Sequence, residues 1–160
     1  MIYHRLGNVR PRYLKTIKLI ERLHRQFLEV IKIELERHKL NDISNIQSLI
    51  IMNIAHEELT VGELTHRGYY LGSNVSYNMM KLVENGYILH KRSKNDKRSF
   101  KIKLTEKGLH HFRLMNEMIN FHINDILEHD IVKDELESLN SSLEKLDGFW
   151  TELIRFSLHR

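Results

Sequence analysis

Residues Ser73 to Glu84, SNVSYNMMKLVE, combine a helical apolar stripe with an opposite face of unusual chemistry. With Val75 at zero and a step of about 100° per residue, Met79 and Leu82 fall beside it and Val83 at the stripe's edge. The other side carries Ser73, Asn74, Tyr77, Met80, Lys81 and Glu84. A merely solvated helix face would be mostly glutamate and lysine. Short amide and hydroxyl side chains instead suit the edges of base pairs. Asn pairs with adenine, Lys with guanine, and Ser or Tyr hydroxyls reach a base or a phosphate. Asn74, Ser76, Tyr77 and Lys81 are the contact candidates, with Ser73 near the dipole-favoured helix start and Asn78 nearer the buried edge. The plain alternative is a polar surface with no ligand.

A second basic element follows. Phe100, Ile102 and Leu104 alternate with Ser99, Lys101 and Lys103, the period of a half-exposed strand. SKND, Ser93 to Asp96, supplies the turn of a hairpin. Lys91, Arg92, Lys94, Lys97 and Arg98 make its upper part strongly cationic, and Arg67 adds to the same central stretch. Lys94, Lys97 and Arg98 are placed to enter or straddle a minor groove, where arginine is favoured when the groove is narrow. The alternative is a lysine-protected sheet edge. The charge is uneven: residues 60–107 hold ten Lys/Arg against four acids, while the whole chain is only +4. A basic centre between acidic flanks points to a polyanion partner for the centre alone.

Other chemistries find little support. The chain has 160 residues and no cysteine, which rules out disulfides, thiolate zinc sites and thiol oxidation, and fits a cytoplasmic protein. No HExxH occurs, and His110 and His111 would diverge by about 100° on a helix. No metal or cofactor is expected. No nucleophile elbow, phosphate loop or carboxylate dyad is present, so an enzyme is not expected. Neither a membrane span nor a signal peptide is expected.

The positioning elements are mostly helical. An amphipathic helix is predicted over about Arg12 to Lys39, with Tyr13, Ile17, Ile20, His24, Phe27 and Ile31 on one stripe. Ser44 and Gln47 form a capping box for a second helix, with Ile46, Leu49, Ile50 and Ile54 as its buried side. Thr60 and Glu63 repeat the box for a third, stapled by Leu59 and Leu64. The Ser73 helix is the fourth, stopped at Gly86. After the hairpin, Thr105 caps a fifth helix through Phe112, Met115, Ile119 and Ile126. A sixth carries Val132, Leu136, Leu139, Leu143, Leu146, Trp150, Leu153 and Phe156.

Val75-Ser76, Leu82 through Ile88, Asp96-Lys97-Arg98 and Leu104-Thr105-Glu106-Lys107-Gly108, in this order and spacing, resemble the MarR family of winged-helix transcription regulators. The resemblance covers about residues 46 to 108. It implies that Asp96 steadies the wing while Arg98 enters the minor groove. The Gly68–Gly72 loop, GYYLG, departs from the usual family pattern and resembles the LdtR-type subgroup, linked to L,D-transpeptidase genes. Tyr69 and Tyr70 suit two roles, stacking on the sugar-phosphate backbone or packing under the fourth helix.

The fold expected is mainly α with a small β-hairpin wing: an N-terminal dimerisation helix (1–43), a winged helix-turn-helix lobe (44–107) and C-terminal dimerisation helices (108–160). The function expected is a homodimeric, sequence-specific regulator of a pseudo-palindromic operator on double-stranded DNA. The resemblance also implies a small, aromatic effector lodged between platform and lobe. Leu23, Phe27, Ile43 and Met115 are the ligand positions expected there, plain core being the alternative for all four. A winged-helix protein–protein adaptor without operator binding is the competing class.

Overall fold

The computed structural model describes residues 2–68, 72–92, 100–128 and 133–157, with side chains from residue 9 onward except at positions 72 and 73. The described residues form two compact units, Met1–Asn116 and Glu117–Arg160.

The first unit opens with α1 (Ile2–Arg37), 36 residues long and so about 54 Å. It begins ten residues before the expected Arg12, because Pro11 lies inside the helix instead of marking its start. Proline removes one intrahelical bond, and the flanking bonds carry the helix through. The helix ends two residues earlier than expected. Lys39 takes a left-handed φ of 56°, with Lys39 N donating to Glu36 O and Leu40 N to Leu35 O. This is a Schellman end without the glycine that would announce it.

α2 (Asn45–Ile54) starts with the expected capping box: Gln47 N donates to Ser44 Oγ and Ser44 N to Gln47 Oε1. Its buried side differs from the expectation. Ile46 is exposed, while Gln47, Ser48, Ile50, Ile51 and Ile54 are buried. Contacts with α1 and with the helices that follow cover more of α2 than a single stripe.

A two-residue strand, β1 (Leu59–Thr60), then leads into α3 (Val61–Gly68). Thr60 N donates to Glu63 Oε2 at 2.6 Å and Glu63 N to Thr60 Oγ1 at 3.1 Å, the second capping box. α4 (Gly72–Glu84) buries Val75, Met79 and Leu82. It ends in another Schellman pair, Gly86 N to Val83 O and Tyr87 N to Leu82 O, with Gly86 at φ 77°.

β2 (Ile88–Arg92) and β3 (Phe100–Leu104) form the hairpin arms, and the antiparallel sheet runs β1-β3-β2. Leu59 pairs with Ile102 and Thr60 with Lys101, so β3 is central and Ile102 is fully buried. β1 was not foreseen, since two residues show no period. Phe100 was expected on the buried side with Ile102 and Leu104, yet it is exposed. It pairs with Arg92, beyond the reach of β1, and its ring packs 4.5 Å from that of His90 instead.

α5 (Glu106–Glu128) follows Thr105, whose Oγ1 accepts from Gly108 N. In the second unit, α6 (Lys133–Ser157) has no buried residue among those described. Val132 lies outside the described residues.

Candidate nucleic-acid interface

α4 presents the two faces that its sequence requires. Val75, Met79 and Leu82 lock it into the core of the first unit, and Asn74, Ser76 and Tyr77 stand exposed on the other side. Tyr77 keeps more than half of its surface in water, and Met80 lies beside it, also exposed. Lys81 donates to Glu84 Oε2 at 2.8 Å, and this bond holds its ammonium pKa above the ordinary lysine value. Asn78 turns away: its Oδ1 accepts from Gln47 Nε2 at 3.3 Å and its Nδ2 donates to Asn74 O at 2.8 Å. It therefore fastens α4 to α2. The Ser73 side chain is outside the described residues.

Arg67 is engaged as a brace. Its fork donates to both carboxylate oxygens of Glu57, at 2.7 and 2.9 Å, and to Asn53 O at 2.9 Å. The hydrogen bonds raise the Arg67 pKa and lower that of Glu57. Bidentate geometry fixes the guanidinium plane, so Arg67 joins the end of α3 to the end of α2.

On the wing, Lys91 and Arg92 are exposed. Lys91 stands opposite Lys101 in the ladder, and Glu58 offsets Lys101 at 3.2 Å. Arg92 lies 5.8 Å over the Phe100 ring, a cation–π contact. Lys94, Asp96, Lys97, Arg98, Tyr69 and Tyr70 lie outside the described residues.

The mounting beneath α4 involves a residue that the sequence did not single out. Asp42 Oδ1 accepts from the Tyr87 hydroxyl at 2.8 Å, and Oδ2 accepts from Lys107 Nζ. Asn85 Nδ2 donates to Asp42 O at 2.6 Å, and Lys107 Nζ to Asn85 O at 2.9 Å. Burial pulls the Asp42 carboxyl upward, but the bonds from Lys107 and Tyr87 outweigh it and hold the pKa below the usual value. Burial and then the bond to Asp42 push the Tyr87 phenol up. The knot ties the α1–α2 loop to the end of α4 and the start of α5. Asn85, Tyr87 and Lys107 carried a signal in the sequence, as members of motif strings, and Asp42 did not.

Of the four expected ligand positions, Ile43 and Met115 are buried core, Phe27 is half-buried and Leu23 is exposed. Beside α4, Val61, Ser76, Met79, Met80, Val83 and His90 line an apolar cavity of about 380 Å³ that none of the four enters.

Comparison with known proteins places this arrangement. Residues 43–108 match the family described as a winged helix DNA-binding domain. The chain is 31% identical over 146 residues to the exopolysaccharide II synthesis transcriptional activator ExpG of Rhizobium meliloti (strain 1021), covering 91% of this chain and 75% of that relative. It is 29% identical over 117 residues to the HTH-type transcriptional regulator SarZ of Staphylococcus haemolyticus (strain JCSC1435), covering 72% of this chain and 78% of that one. Among solved structures, the transcriptional regulator SlyA superposes with a TM-score of 0.75 at 18% identity, over 88% of this chain and 97% of that chain. Streptococcus pneumoniae FabT in complex with DNA gives 0.70 at 21% identity, over 88% and 99%.

Proposed function

From the premise that the chain belongs to the MarR family of winged-helix DNA-binding transcription regulators, we propose that it reads a pseudo-palindromic operator as a homodimer. It is a transcription regulator and not an enzyme. In this reading α4 lies in the major groove with Asn74, Ser76, Tyr77 and Lys81 toward the bases, and the wing tip with Lys94, Lys97 and Arg98 follows the adjacent minor groove, steadied by Asp96. The observation that carries it is the exposed amide and hydroxyl face of α4, mounted on the buried Val75, Met79 and Leu82. A recognition element must be rigid to discriminate bases, and the Asp42 knot supplies that rigidity.

Dimerisation is supported by α6, which leaves Leu139, Phe149, Leu153 and Phe156 about half exposed or more. Contiguous apolar surface on a soluble helix calls for a partner. Two-fold pairing would set the α4 helices about one duplex turn apart, roughly 34–36 Å. A small aromatic effector would act by favouring a lobe spacing that no longer matches that period. Control of L,D-transpeptidase genes is proposed from the sequence of the Gly68–Gly72 loop alone. The reading also places the protein in the cytoplasm, and no described helix is long and apolar enough to cross a membrane.

Selection from a randomised duplex pool tests the proposal. The parent should recover a palindromic consensus, and Asn74→Ala or Tyr77→Ala should relax it at one position per half-site. With six or more phosphates engaged, log affinity should fall with log salt at a slope near −5 or steeper. No consensus together with a flat salt response would leave the adaptor reading.

A further inference from the structure

The outward half of α4 holds an exposed apolar side chain among its polar ones. The buried stripe of Val75, Met79 and Leu82 is centred at about 10° around the helix, so the crown of the opposite face lies at about 190°. Tyr77 and Glu84 stand within about 10° of that crown, Met80 and Lys81 about 50° to either side, and Asn74 and Ser76 further round. Lys81 and Glu84 are engaged with each other at 2.8 Å. Beside them Tyr77 and Met80 keep 58% and 50% of their surface in water. Among the described side chains of that half, Met80 alone carries no strong donor or acceptor. It also borders the cavity of about 380 Å³ that Val61, Val83 and His90 share. Packing on that side leaves room for it, and methionine's three rotatable bonds let it follow an apolar surface.

We infer that Met80 is a specificity-determining residue that reads a thymine, by van der Waals contact with its C5 methyl group in the major groove. This rests on the operator reading above. The base-pair edges in that groove are lined by donors and acceptors, and their one bulky apolar group is the thymine methyl. A thioether chain pressed against any polar edge would strip water from it and return no strong hydrogen bond. Tyr77 and Met80 are three residues apart, about 4.5 Å along the helix axis, close to the roughly 3.4 Å step between successive base pairs. The thymine is therefore placed at the base pair next to the one that the Tyr77 hydroxyl meets.

The test uses the full chain and the consensus duplex recovered from the random pool. Each thymine of a half-site is replaced in turn by deoxyuridine, which keeps every hydrogen-bonding edge and removes only the methyl. At one position the parent should bind about fourfold more weakly, the effect of one buried methyl group. Changing that position in both half-sites should weaken binding by about fifteenfold, twice the free-energy effect of one methyl. Met80→Ala should bind the thymine and deoxyuridine duplexes equally. The deoxyuridine series on the parent stands by itself, whatever the stability of the variant. Half-sites without a methyl-dependent thymine, or a methyl dependence that survives Met80→Ala, would overturn the inference and leave the operator reading intact. A pool that yields no consensus would overturn both.

Discussion

Gly108→Ala should destabilise the first unit far more than an alanine normally does in a helix. A Cβ at position 108 would lie 2.2 Å from Tyr87 O, 3.1 Å from Leu104 Cβ and 3.2 Å from Tyr87 C. Relief needs a shift of about 1 Å, and neither side yields easily. Tyr87 O accepts from Thr105 N at 3.0 Å and from Thr105 Oγ1 at 3.2 Å, while Thr105 Oγ1 also caps α5. The Tyr87 side chain is buried and held by Asp42. Overpacking against side chains costs about 1–3 kcal/mol, and here the obstacle is backbone, so the upper end applies. For a chain of this length, roughly 3 kcal/mol lowers the melting temperature by about 6–12 °C. Gly62→Ala is the control. Its Cβ would meet only Thr60 Oγ1 at 3.9 Å, so helix propensity should act alone and stabilise by up to about 1 kcal/mol. Thermal unfolding of both variants beside the parent decides the matter. A Gly108→Ala protein as stable as the parent would refute the steric account of why the Leu104–Gly108 string ends in glycine.

Three further outcomes are expected. Ala55 holds φ 51° and ψ −126° at the end of α2, a conformation that glycine adopts without strain, so Ala55→Gly should stabilise by on the order of 1 kcal/mol in urea unfolding, net of the added chain entropy. Burial first, then His110, lowers the His111 pKa from 6.5 to about 4 against an opposing pull from Asp42. The unfolded chain therefore takes up this proton first, so the stability from neutral His111 is complete above about pH 6.5 and disappears by about pH 4. The loss is on the order of 3 kcal/mol, and His111→Gln should flatten that part of a pH series of urea midpoints. Leu139→Glu on the exposed face of α6 should raise the dimer dissociation constant by about tenfold or more in sedimentation, and an unchanged constant would move the interface elsewhere.

Much of the architecture was legible because it rests on short-range rules. Ser44–Gln47 and Thr60–Glu63 are capping boxes in which each partner lies within one helical turn. Val75, Met79 and Leu82 share a face because of the helical step alone. Gly86 stops α4 because its φ of 77° suits glycine. The end of α1 was misplaced for the complementary reason, since Lys39 adopts the same region with no sequence mark.

The sequence by itself determined the order of helices, the paired arms of the wing and the two-faced character of α4, all of which follow from periodicity and caps. Only the tertiary structure decided how the candidate side chains are used. Asn78 goes to Gln47 across 31 residues, Arg67 to Glu57 across 10, and Lys107 to Asp42 across 65. His111 meets Ser48 across 63 residues and loses its water there. A polar side chain's role is set by the partner that desolvation forces upon it, and that partner is chosen by packing between elements far apart in the chain.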